Sequence, residues 1–167
     1  MVEEKNLILD SRLVKQKIRR MAFEIYESNF GEKQLVLAGI EGQGYVLAGL
    51  LGKELEAISP LSVKLVKVSL DKNAPQQSDV LFDCDPKEIK KKCVVLVDDV
   101  LNTGRTIVYG LKPFLTIEVK KIETAVLVNR SHVLFPIYPQ FTGYELSTTI
   151  NDHVEVKLGK ETAVYLR

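Results

Sequence analysis

Leu13, Val14, Ile18, Met21, Ala22, Ile25 and Tyr26 recur at helical spacing behind Asp10, whose carboxylate suits an N-cap, and Gly31 closes the stretch. Leu35 to Ile40 is a continuous apolar run, which predicts a buried strand. Gly42 to Gly44 then predicts a turn, and Tyr45 to Ala57 a second helix. Ser62 to Leu70 alternates as a strand does, and Val80 to Asp83 predicts a short return strand. Between them, Asp71 to Asp79 is polar, with Pro75 and two glutamines, and predicts an exposed loop. Lys90 to Lys92 lead into a strand over Cys93 to Val97, followed by a helix over Thr106 to Phe114 that ends near Pro113. Ile122 to Val128 predicts another strand, and the tail holds short strands at Phe141 to Leu146 and Val154 to Leu158. Strands that alternate with helices predict an α/β chain with a mainly parallel sheet, one domain over residues 1–167.

Ligands of such sheets bind outside the carboxyl ends of the strands, so three segments become candidates: Glu41 to Gly44, Asp98 to Thr106, and Asn129 to His132. In the second, Val94 to Val97 run straight into Asp98 and Asp99. Thr103, Gly104, Arg105 and Thr106 follow, with close backbone approach, hydroxyl donors and a positive charge suited to a phosphate. Carboxylates beside a phosphate would repel it unless they hold something else, and vicinal sugar hydroxyls, with a divalent cation, fit that need. The pattern describes a clamp for a ribose 5-phosphate.

Composition narrows the rest. With 46% hydrophobic residues, 167 positions suffice for a packed core. A net charge of +1 excludes a global positive field, so nucleic acid would have to be met by local clusters such as Arg12, Lys15 and Arg19 on one helix face. Cys84 and Cys93 match no zinc or redox spacing, which predicts two reduced thiols in a cytoplasmic protein. Met1 to Lys5 lacks the pattern of a signal peptide, and no apolar run reaches the ~20 residues of a membrane span. A dinucleotide fingerprint at Gly39 to Gly44 fails, because Leu47 stands at the third glycine position.

Asp98-Asp99-Val100-Leu101-Asn102-Thr103-Gly104-Arg105-Thr106 resembles the phosphoribosyl-pyrophosphate (PRPP) motif of type I phosphoribosyltransferases. Leu37-Ala38-Gly39-Ile40, Ile8-Leu9-Asp10 and Ala125-Val126-Leu127-Val128 with Arg130 and His132 extend the likeness to the pyrimidine-operon attenuation regulators that are also uracil phosphoribosyltransferases. The resemblance implies that family's fold, a central, mainly parallel sheet flanked by helices with a small hood. It also implies transfer of phosphoribose from PRPP to a nucleobase with Mg2+, and a homo-oligomer, a dimer. Asp98, Asp99 and Asn102 take the catalytic positions, and Asn102 to Thr106 the 5-phosphate loop. Glu41, Gly42, Gln43 and Gly44 form the pyrophosphate loop, where the family's arginine is replaced by Gln43. Asp71 and Lys72 stand in the mobile loop for a Tyr-Arg pair. Arg130, Phe141 and Thr142 meet the base, with Phe141 stacking on its ring. Asn129 and Asn102 replace a lysine and an aspartate of purine-specific members, which implies a pyrimidine, uracil first. Two function classes fit: an enzyme, and a PRPP- or nucleotide-sensing regulator with an RNA contact.

Overall fold

A computed structural model describes residues 4–76 and 78–167; Met1 to Glu3 and Gln77, within the expected 71–79 loop, lie outside the described residues. Asn6–Leu9 form β1 and Ser11–Ser28 form α1, whose first turn is capped by Asp10 accepting from the Leu13 N–H at 2.8 Å. Asn29 ends α1, its side-chain amide donating to the Ile25 carbonyl, and Gly31 takes a left-handed φ of 90° in the turn beyond. Gln34–Ile40 (β2), Gln43–Ile58 (α2) and Ser62–Ser69 (β3) follow, then Leu81–Phe82 (β4). Cys93–Leu101 is β5, Arg105–Leu111 is α3, and Lys121–Asn129 is β6. Phe141–Glu145 (β7), Val154–Lys157 (β8) and Ala163–Leu166 (β9) complete the chain.

Six strands pair in the order β4-β3-β2-β5-β6-β7, all parallel except β4. Alternation along the strands divides the core into two layers. Leu35, Leu37, Val95 and Val97 face α1 and α2, while Val36, Ala38, Val94 and Leu96 face α3 and Phe114. A separate antiparallel sheet, β1-β9-β8, joins the two ends of the chain into a hood. No helix among the described residues is long and apolar enough to cross a membrane.

Three expectations need correction. β5 does not stop at Val97 but runs on to Leu101, because Asp98, Val100 and Leu101 keep pairing with Val126, Val128 and Asn129. The helix expected over Thr106 to Phe114 ends at Leu111 and tightens into a 3-10 turn over Lys112–Thr116, since Pro113 has no N–H to continue an α-helical ladder. Gln43 and Gly44, expected in a turn, already belong to α2.

The interior glycines differ in the room around them. A Cβ on Gly143 would stand 2.7 Å from the Leu127 carbonyl oxygen and 3.1 Å from Met21 Sδ, where β7 passes under α1. A Cβ on Gly49, within α2, would meet only Leu65 Cδ2 at 3.9 Å. Opposite signs are therefore expected in urea unfolding. Gly143→Ala should destabilise by about 1–3 kcal/mol through overpacking, whereas Gly49→Ala should stabilise by roughly 0.5–1 kcal/mol through the better helix former.

Candidate active site

β5 lies between β2 and β6 at the centre of the sheet, and every residue from Cys93 to Asp98 is buried. The strand therefore delivers Asp98 to the sheet's carboxyl edge almost out of water, at 3% exposure, while Asp99 is half-buried beside it. Asp98 Oδ1 accepts from the Asp99 N–H at 2.9 Å. Burial pushes the Asp98 carboxyl well above the usual carboxylate range, and the neighbouring Asp99 charge adds to it. Lys72 opposes both, its Nζ standing 3.7 Å from Asp98 Oδ1.

Of the residues expected to hold pyrophosphate, Gly44 reaches this centre. A Cβ there would stand 2.8 Å from Asp98 Oδ1, so only glycine lets the first turn of α2 seat against the carboxylate. Gly42 turns the chain with φ 97°, and the Glu41 N–H donates to the Val68 carbonyl at 2.8 Å, which fixes the loop to β3. Gln43 points elsewhere. Its Oε1 accepts from the Leu158 N–H at 2.9 Å, so the side chain fastens α2 to the hood, and the expectation that it faces a pyrophosphate is corrected.

After β5 the chain turns sharply at Gly104, whose φ of 86° suits glycine; a Cβ there would lie 2.3 Å from Ile137 Cγ2. The Thr103 carbonyl accepts from the Leu134 and Phe135 N–H groups, which braces the turn from behind. Asn102, Thr103, Gly104, Arg105 and Thr106 thereby line one pocket together with Asp98 and Lys72. The guanidinium of Arg105 is not spent on that pocket. Its Nη2 donates to the Asn73 carbonyl at 2.8 Å and to Gln76 Oε1 at 3.3 Å, tying down the loop that carries Asp71 and Lys72. Asp71 orders the same loop by accepting from the Asn73 N–H at 2.9 Å.

The expected base-contacting residues separate. Phe141 and Thr142 open β7 in register with Ala125 and Val126, four and three residues short of the edge where Asn129 meets Glu145. Phe141 is buried in the α1–α2 side of the core, so it cannot stack on a ligand at the carboxyl edge. Their segment is an edge strand of the main sheet, apart from the hood made by β1, β8 and β9. Arg130 does stand at the edge but is 6% exposed, and its guanidinium donates to Thr148 Oγ1, the Thr149 carbonyl and the Asp152 carbonyl. It holds the 148–152 segment in place. Asn129, also buried, accepts from the Ser131 N–H at 2.9 Å. A second pocket beside the turn is bordered by Asn102, Arg130, His132, Leu134 and Ile150. Leu134 and Ile150, 79% and 89% exposed, were missed in the sequence because neither belongs to a periodic element.

These features are shared. The phosphoribosyl transferase domain family matches over residues 5–159. The "Bifunctional protein PyrR" of Latilactobacillus sakei subsp. sakei (strain 23K) is 34% identical over 160 residues, 90% of this chain and 89% of that one. Its namesake from Bacillus mycoides (strain KBAB4) is 32% identical over 167 residues, 94% and 92% of the two chains. In fold, the chain is similar to a hypoxanthine-guanine phosphoribosyltransferase from Bacillus anthracis (TM-score 0.71, 17% identity, 86% of this chain and 84% of that one). It is also similar to the hypoxanthine phosphoribosyltransferase of Trypanosoma cruzi (TM-score 0.75, 15% identity, 96% and 95%). The chain belongs to the phosphoribosyl transferase domain family, as a PRPP-dependent glycosyltransferase with the fold of the type I enzymes.

Proposed function

We propose that this chain transfers the 5-phosphoribosyl group of PRPP to a pyrimidine base, uracil first, and releases pyrophosphate. The observation that carries the reading is one cavity that joins the buried carboxylate at the end of β5 to the turn from Asn102 to Thr106. Asp98 and Asp99 accept hydrogen bonds from the ribose hydroxyls, and the backbone N–H groups of the turn receive the 5-phosphate. Fixed at both ends, the ribose presents its anomeric carbon to the base. The new bond forms from a ring nitrogen to that carbon as the bond to the pyrophosphate oxygen breaks; pyrophosphate leaves with the electron pair, and the nitrogen's proton passes to solvent water. Positioning supplies much of the rate in such a displacement.

Among the described residues no group of three or more His, Cys, Asp or Glu side chains could hold a metal. Mg2+ needs only one or two carboxylates when substrate phosphates and water complete its shell. Asp98 and Asp99 fit that modest demand, and the ion would neutralise the departing pyrophosphate. The base reading rests on the second pocket. Leu134 and Ile150 offer apolar faces to a ring in place of Phe141, and Asn102 puts no charge there that would select a 6-oxopurine.

A second reading, a PRPP- or nucleotide-sensing regulator that also contacts RNA, rests on α1. Arg12, Lys15, Arg19 and Arg20 are all exposed on it. A homodimer working in the cytoplasm is part of the proposal by resemblance.

Incubating the protein with PRPP, Mg2+ and a panel of bases while recording pyrophosphate release tests the assignment. Release with uracil should exceed release with guanine or hypoxanthine; the reverse order would overturn the base choice, and no release with any base would favour the regulator.

Asp98 yields a two-sided expectation. Its folded pKa is raised above the unfolded value of about 3.9, so ionisation costs stability in the folded state. That cost is absent below the unfolded pKa, grows as pH rises through the folded value, and is full above it. Asp98→Asn should therefore be more stable than the native chain at neutral pH in metal-free buffer, an advantage that vanishes near pH 4. The same variant should lose about 2–3 kcal/mol of PRPP binding by calorimetry, the scale of hydrogen bonds to a charged group. Lower stability at neutral pH, or unchanged affinity, would count against this role for Asp98.

A further inference from the structure

We propose that Lys72 is a built-in cation of the ribose site, held there by Arg105, and that it allows ribose 5-phosphate to bind without a divalent metal. The inference rests on the ribose-phosphate reading above and extends it to a loop that reading leaves unused. Asp98 is buried against Asp99, an arrangement that calls for a counter-charge. Lys72 supplies it from the 71–76 segment, across 26 positions of sequence, with its Nζ 3.7 Å from Asp98 Oδ1. Lysine suits the task, because its ammonium is a compact point charge on a flexible stem that can follow a ligand as it enters.

The position of Lys72 is over-determined. Asp71, immediately before it, accepts from the Asn73 N–H at 2.9 Å and, in its backbone, donates to Ser78 Oγ at 3.2 Å. Immediately after it, the Asn73 carbonyl accepts from Arg105 Nη2 at 2.8 Å, and Gln76 Oε1 accepts from the same nitrogen at 3.3 Å. Arg105 leaves the phosphate turn to make these bonds, so it is a positioning residue that acts through Lys72. The ammonium then borders the same pocket as Asp98 and the Asn102–Thr106 turn. A ribose 5-phosphate in that pocket would have one lysine ammonium beside both its carboxylate acceptors and its phosphate, so that a positive charge is present before any metal binds.

Equilibrium binding of ribose 5-phosphate, which carries neither base nor pyrophosphate, tests this by calorimetry in EDTA and in Mg2+. The native chain should bind with affinities within about threefold in the two buffers. Lys72→Met should weaken binding in EDTA by roughly 10- to 100-fold, the scale of one charge-assisted contact. Mg2+ should restore it, and Lys72→Arg should keep most of the metal-free affinity. Native binding that requires Mg2+, Lys72→Met binding unchanged in EDTA, or Lys72→Met binding that Mg2+ fails to restore would each overturn the proposal. If the native chain binds ribose 5-phosphate in neither buffer, the ribose-phosphate reading itself falls.

Discussion

Placing a carboxylate at the buried end of the central strand is the constraint on which the rest of this site depends. β5 is central because both of its neighbours are parallel strands, and it is apolar because both of its faces are covered. Its unbroken buried run ends at Asp98. The surroundings are adapted to that charge: Gly44 gives α2 room to close on it, the Asp99 N–H donates to it, and Lys72 stands opposite. Removing a charge from water is expensive unless it is paired and hydrogen-bonded. A buried, charge-bearing centre of this kind suits a site for a polar sugar, and it is poor design for stability alone.

Long polar side chains help tie the hood and the 71–76 loop to this centre. Gln43 links α2 to Leu158 in the hood, and Arg105 links the phosphate turn to Asn73 and Gln76. Both had been read from the sequence as groups facing phosphate. In the structure both hold other segments near the strand edge, and Lys72 borders the pocket beside Asp98. Arg130 repeats the pattern by holding the 148–152 segment. In this chain the long polar side chains around the pocket mostly position other segments.

The parallel core was legible because its signals are local: the apolar run from Leu35 to Ile40, the helical stripe from Leu13 to Tyr26, and Asp10 at its start. The turn after β5 was legible because Thr103-Gly104-Arg105-Thr106 is a long motif, and Gly104 does adopt the left-handed conformation. The hood was not, since β1 and β9 are four residues each and pair ends of the chain about 160 positions apart, for which no periodicity exists. Phe141 was misplaced for a related reason. Its burial follows from the register of β7 on β6, a non-local fact, whereas an aromatic two residues before a glycine reads equally well as a ligand-facing loop. Leu134 and Ile150 lie outside any element, and only the assembled edge brings them together.

A crystal structure of the protein soaked with ribose 5-phosphate tests the central claim most directly, namely that β5 and the turn after it form one sugar-phosphate clamp. The account predicts the phosphate on the backbone N–H groups between Thr103 and Thr106, with the ribose hydroxyls on Asp98 and Asp99. Density for the sugar phosphate elsewhere on the surface, with this pocket left to solvent, would contradict it.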